Sequence, residues 1–95
     1  MGIEMRADAR QQVELPVSLE EGSMGSTCDV SASGVFFEID SSLAVGSQIS
    51  FEIEMHSAIG PMTMKCVGLV VRTEQKDGRT GVAVKMTDSR LVAVQ

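Results

Sequence analysis

The sequence predicts an all-β protein, a six-stranded antiparallel β-barrel, and three observations support this. Apolar and polar residues alternate over much of the chain, turn-forming residues separate the alternating segments, and helical spacing is nearly absent. Alternation with a period of two gives a strand one apolar face and one polar face. We expect the sheet to close, because six short strands in an open sheet would leave exposed edges.

The strands are predicted from three segments of regular alternation and three less regular ones. The residues expected to face inward in the regular segments are Val13, Leu15, Val17 and Leu19, then Ile49, Phe51, Ile53 and Met55, then Val82, Val84 and Met86. The other strands are expected at residues 27–30, 34–39 and 64–72, and Asp77-Gly78 is a hairpin signal. Only the C-terminal tail, with Thr87 or Asp88 as N-cap, could form a helix, and it would be short.

Length and composition predict one folded domain. The chain has 95 residues, of which 43% are hydrophobic and 22% charged. We expect a flexible N-terminal segment at 1–11, a barrel at 12–86 and a tail at 87–95. The sequence contains no apolar run of membrane-spanning length and no signal-peptide pattern, so it predicts a cytoplasmic protein without membrane insertion.

Charge and side-chain chemistry argue against several classes of function. The net charge of −5 disfavours nonspecific nucleic-acid binding, which requires many cations, but not the binding of one small anion. Cys28, Cys66 and His56 do not have the spacing of metal ligands, so no metal or cofactor is expected. No nucleophile and base stand at a recognisable spacing, and we therefore expect no catalytic residues and no enzymatic activity.

Two short motifs could bind a ligand. Arg6 and Arg10 stand four residues apart before the first strand, and a guanidinium suits both phosphate and guanine, since it forms paired hydrogen bonds and stacks on rings. Asp29, Ser31 and Gly34 lie in a turn between two strands, where a carboxylate can accept N–H bonds from a guanine edge. Taken separately, each motif is also typical of an ordinary solvated turn.

The ordered pair, RxxxR followed by DxSxxG, resembles the signature of the PilZ family, and the strand segments around it agree over nearly the whole chain. The resemblance implies a PilZ-like split barrel that binds cyclic di-GMP. It further implies that Arg6 and Arg10 contact phosphate and guanine from a segment that folds over the nucleotide, while Asp29, Ser31 and Gly34 hold a guanine.

The resemblance therefore predicts a receptor or adaptor in bacterial second-messenger signalling, which binds cyclic di-GMP and then an unidentified protein partner. One alternative is a PilZ-like interaction module that does not bind nucleotide. A small enzyme is a further alternative, which the absence of a catalytic motif disfavours.

Overall fold

A computed structural model describes residues 12–31 and 33–94, and this part of the chain contains strands and no helix. The strands are β1 (Pro16–Leu19), β2 (Met24–Val30), β3 (Gly34–Ile39), β4 (Gln48–Ser57), β5 (Gly60–Lys76) and β6 (Arg79–Ala93). Neighbouring strands are antiparallel and close into a barrel in the order β1-β2-β3-β6-β5-β4. The predicted all-β six-stranded barrel is confirmed.

The barrel interior is filled by side chains from the apolar faces of all the strands except β2. The buried apolar side chains are Val17, Leu19, Val35, Phe37, Ile39, Phe51, Ile53, Cys66, Val70, Val82 and Val84. The rings of Phe37 and Phe51 meet near the centre, with centroids 5.5 Å apart. Burying a large apolar side chain contributes about 1.5–3 kcal/mol, so this core is the main source of stability.

A buried threonine in β2 holds the chain that enters β1. The Thr27 hydroxyl donates to the Val13 carbonyl and accepts from the Leu15 amide, which lies 2.9 Å away. The Thr27 amide in turn donates to the Leu15 carbonyl at 2.9 Å. The predicted strand at 13–19 is therefore shorter in the structure, because residues before Pro16 bond to this one side chain instead of continuing the ladder.

The last two strands form a hairpin longer than the sequence predicts. Asp77 (φ 52°) and Gly78 (φ 80°) form the turn, and two positive φ values are typical of the type I′ turn that suits a right-twisted hairpin. The strands continue to the pair Met62 and Ala93. The tail that could have formed a short helix is strand instead. A two-turn helix is marginal in water, whereas the extended β5 offers this tail a hydrogen-bonding partner.

Candidate functional site

The DxSxxG segment forms a tight connection between β2 and β3. Ser31 is buried, and its amide donates to the Gly34 carbonyl at 2.8 Å. Its hydroxyl lies 3.1 Å from both the Gly34 amide and the Gly34 carbonyl, accepting from the first and donating to the second. The Ser33 carbonyl accepts from the Met86 amide at 2.9 Å, which fixes the turn to β6. Two motif residues, Ser31 and Gly34, therefore hold the turn in shape.

Gly34 is required by a close approach of two backbones. A Cβ atom at this position would lie 2.8 Å from the Val84 carbonyl oxygen of β6. Gly34 does not have a positive φ, so the close approach rather than a left-handed conformation explains the glycine.

Two β-bulges turn polar side chains to the outside of the barrel. In β2, Thr27 pairs with the buried Phe37, and Cys28 is an extra residue, so that Asp29 pairs with Phe36 on the outer face. Without this bulge, the period of two would turn Asp29 toward the core.

The second bulge acts in the same way on β5. Val70 pairs with Val84 in the core, Val71 is the extra residue, and Arg72 pairs with Ala83 on the outer face. Regular alternation would again have turned the charged side chain inward. The two bulges thus place Asp29 and Arg72 on the same outer wall of the barrel.

An aromatic ring supports the arginine on this wall. The Arg72 guanidinium carbon lies 5.9 Å from the centroid of the Phe36 ring, a cation–π arrangement. The Phe36 ring in turn lies over Gly81, where a Cβ atom would come within 2.7 Å of the ring. Glu74 flanks Arg72, with its Oε2 3.8 Å from the arginine Nε. Arg72 is therefore positioned by a ring and a carboxylate while most of its side chain stays accessible.

These residues line an open groove of about 640 Å³ beside the DxSxxG turn. Asp29, Ser33 and Gly34 form one end, and Phe36, Arg72, Glu74 and Lys85 are among the residues along its wall. The groove offers the Asp29 carboxylate near the turn, and its wall carries two cations, a second carboxylate and a planar aromatic group. Such a set can bind a ligand that has both N–H donors and a negative charge.

A second cavity, of about 480 Å³, lies against β1, β4, β5 and β6. It contains the cations Lys65 and Arg90 together with the carboxylates Glu20, Glu52 and Asp88. Its excess of carboxylates disfavours an anionic ligand, so the groove beside the motif turn is the better candidate for one.

The structure brings together three of the five predicted site residues. Asp29, Ser31 and Gly34 are contiguous with the groove or support it, whereas Arg6 and Arg10 lie outside the described residues. The sequence prediction did not include Arg72 and Lys85 in the site. Arg72 could not be assigned by alternation alone, since the bulge at Val71 reverses the expected face.

The cysteines and the acidic residues that the structure describes show no arrangement typical of a metal or nucleophile site. Neither Cys28 nor Cys66 forms a disulfide. Burial, assisted by nearby Asp88, raises the pKa of the Cys66 thiol to about 11, and burial also raises that of Cys28, with Glu38 and Asp29 adding to the effect. Both thiols are therefore protonated at neutral pH and weakly nucleophilic. No group of three metal-ligand side chains occurs within 12–31 and 33–94.

Two comparisons with known proteins find a match, one by fold and one by sequence profile. The chain is similar in fold to the Bacillus subtilis inhibitor of motility (MotI/DgrA), with a TM-score of 0.78 and 16% identity. The alignment covers 96% of this chain and 45% of that protein. No curated protein sequence matches, and the described residues include no helix long and apolar enough to cross a membrane. The sequence profile of the PilZ domain, however, matches residues 4–94. The chain therefore belongs to the PilZ domain family.

Proposed function

We propose that this chain is a cyclic di-GMP receptor, and that the nucleotide lies in the groove beside the DxSxxG turn. The observation that carries the proposal is the pair of bulges that turn Asp29 and Arg72 outward onto one wall. A barrel that needed only a core would gain nothing from two interruptions that turn a carboxylate of β2 and a guanidinium of β5 onto one outer wall, on either side of β3 and β6. Bulges near a binding site are a common means of aiming a side chain.

The chemistry of the groove matches the parts of cyclic di-GMP. A guanine edge presents N–H donors, which the Asp29 carboxylate can accept. The nucleotide phosphates are anionic, and Arg72 and Lys85 are the cations of the described groove. The guanidinium of Arg72, supported from behind by Phe36, offers a flat face on which a purine can stack.

Arg6 and Arg10 complete the site in this proposal by reaching it from the N-terminal side. The Val13 carbonyl is bonded to Thr27 in β2, two residues before Asp29. Arg10 is three positions before Val13 in the chain, and three residues span at most about 11 Å. In this proposal the Arg10 side chain approaches the groove from its Asp29 end. The segment would fold over the nucleotide, and the changed surface would bind a protein partner.

Calorimetric titration of cyclic di-GMP tests the proposal. We expect binding by the wild type, and weakening of about tenfold or more for Arg10→Ala, Arg72→Ala and Asp29→Asn, since a charged hydrogen bond contributes about 1.5–3 kcal/mol. The matched control is Arg79→Ala, because Arg79 contacts the Glu38 carbonyl at 3.3 Å and Asp40 at 3.8 Å rather than the groove. A wild type without measurable binding would favour an interaction module that does not use the nucleotide.

A further inference from the structure

The second half of β6, residues Thr87–Ala93, forms an open edge of the sheet among the described residues. On one side it pairs with β5 as far as Ala93. On the other side β3 pairs with β6 only up to Lys85, and the Met86 amide donates to the Ser33 carbonyl of the DxSxxG turn. Beyond that point, within 12–31 and 33–94, no strand pairs with this side of β6. All five residues from Thr87 to Leu91 are exposed.

An edge of this kind presents unpaired N–H and C=O groups to any strand that approaches. Proteins commonly block such edges with proline or with side-chain charges that repel a second copy. The segment from Thr87 to Ala93 contains no proline, and its two charges, Asp88 and Arg90, are opposite in sign. These two charges do not prevent the edge from pairing with the same edge of a second copy if the register places Asp88 of one copy opposite Arg90 of the other.

The two charged side chains lie on the outer face of β6. A bulge at Thr87 shifts the alternation, so that Asp88 pairs with Val67 and Arg90 with Lys65. Arg90 thus stands opposite another cation across the sheet, a pairing that is destabilising. No carboxylate of the described residues lies within ion-pair distance of Arg90. A carboxylate on the open side of β6 would relieve this repulsion.

We propose that this edge binds a second copy of the chain, by antiparallel pairing of the two β6 strands about a two-fold axis at Ser89. An antiparallel pair with two-fold symmetry places one residue opposite its own copy. With Ser89 at that position, Asp88 lies opposite Arg90 of the second copy, and Arg90 lies opposite its Asp88. Centring on Asp88 or on Arg90 would instead place two like charges opposite each other. The charges therefore select one register.

The inner face of β6 adds exposed apolar surface to this edge. Leu91 follows the core face of β5 and β6, beside Met64, yet it is 53% exposed. Pairing of the two β6 strands in the proposed dimer covers part of this exposed apolar surface. The sheet of one barrel then continues through the two paired β6 strands into the sheet of the second barrel. Each DxSxxG turn therefore lies next to the dimer interface.

Sedimentation velocity of the ligand-free chain over a concentration series tests this inference, and its outcome does not depend on nucleotide binding. The wild type should approach twice the 10.1 kDa mass of one chain as concentration rises. Asp88→Arg should weaken association by at least tenfold, because it creates two like-charge pairs per dimer. The double variant Asp88→Arg/Arg90→Asp should restore association, since the opposite charges meet again. Glu21→Arg, the same charge change in an exposed turn, is the matched control and should behave as wild type.

Three results would overturn the proposal: a wild type that stays monomeric at every concentration, an Asp88→Arg variant that still dimerises like the wild type, or a double variant that remains monomeric although it is folded. Far-UV circular dichroism of each variant establishes that the barrel is intact before its association is interpreted. The double variant exchanges Asp and Arg between positions 88 and 90, so its composition and net charge equal those of the wild type. Net charge therefore cannot explain a difference in association between the two proteins.

Discussion

Ser31 and Gly34 of the DxSxxG segment stabilise the turn between β2 and β3 through contacts within the protein. The buried Ser31 hydroxyl is bonded to the amide and the carbonyl of Gly34. Gly34 packs so closely against β6 that a Cβ atom at this position would lie 2.8 Å from the Val84 carbonyl oxygen. By contrast, Asp29 lies on the outer face, where its carboxylate borders the groove. Loss of binding on substitution of Ser31 or Gly34 therefore reports on turn geometry as much as on ligand contact.

Ser31→Ala should lower the free energy of unfolding by about 1–2 kcal/mol, because two buried backbone groups lose their side-chain partner. The measurement is urea unfolding followed by far-UV circular dichroism, since the chain has no Trp or Tyr for fluorescence. Ser42→Ala, in the exposed loop after β3, is the control and should leave stability unchanged. If both variants unfolded at the same urea concentration as the wild type, the Ser31 hydroxyl would have no role in holding the turn.

At the scale of elements, alternation predicts strands well and their irregularities poorly. The faces of β4 and of the first half of β6 follow the predicted alternation, because a single apolar face against a core determines them. The bulges at Cys28, Val71 and Thr87 could not be predicted, since an extra residue is defined only by the strand opposite. The same limit explains why Arg72 was missed and why the tail could not be assigned to β6 from its own sequence.

The pairing of β2 with β3 depends on the absence of a side chain at Gly25. A Cβ atom there would lie 1.9 Å from the Glu38 carbonyl oxygen and 2.9 Å from the Ile39 side chain. Gly25→Ala should therefore separate the two strands and lower the free energy of unfolding by at least about 2 kcal/mol. Chemical denaturation of this variant beside Ser26→Ala, the next residue of the same strand, measures the effect. Equal stability of the two variants would contradict the close approach.

At the scale of the whole molecule, the strand order is the feature least accessible from sequence. Alternation states which face of a strand is apolar, but it does not state which strand lies beside it. The chain places β6 between β3 and β5, so that β6 lies beside the DxSxxG turn, lines the groove wall and, among the described residues, carries an open edge of the sheet. The resemblance to the PilZ family predicted a barrel and the motif residues at one site. The wall residues Phe36, Arg72 and Lys85 became part of that site only through the strand order.

The charge of the whole chain predicts that the protein discriminates a small cyclic nucleotide from a nucleic acid. The chain has 13 Asp and Glu residues and 8 Lys and Arg residues, so its surface is acidic on average. Arg72 and Lys85 place two positive charges in the groove, and Glu74 lies beside Arg72. A polynucleotide would extend past the groove onto an acidic surface, where phosphates are repelled. We expect no rise in the fluorescence anisotropy of a labelled single-stranded DNA at about 0.15 M salt, and no competition by that DNA in a cyclic di-GMP titration. DNA binding that weakened steeply with added salt would show instead that the cations form a patch large enough to neutralise several phosphates.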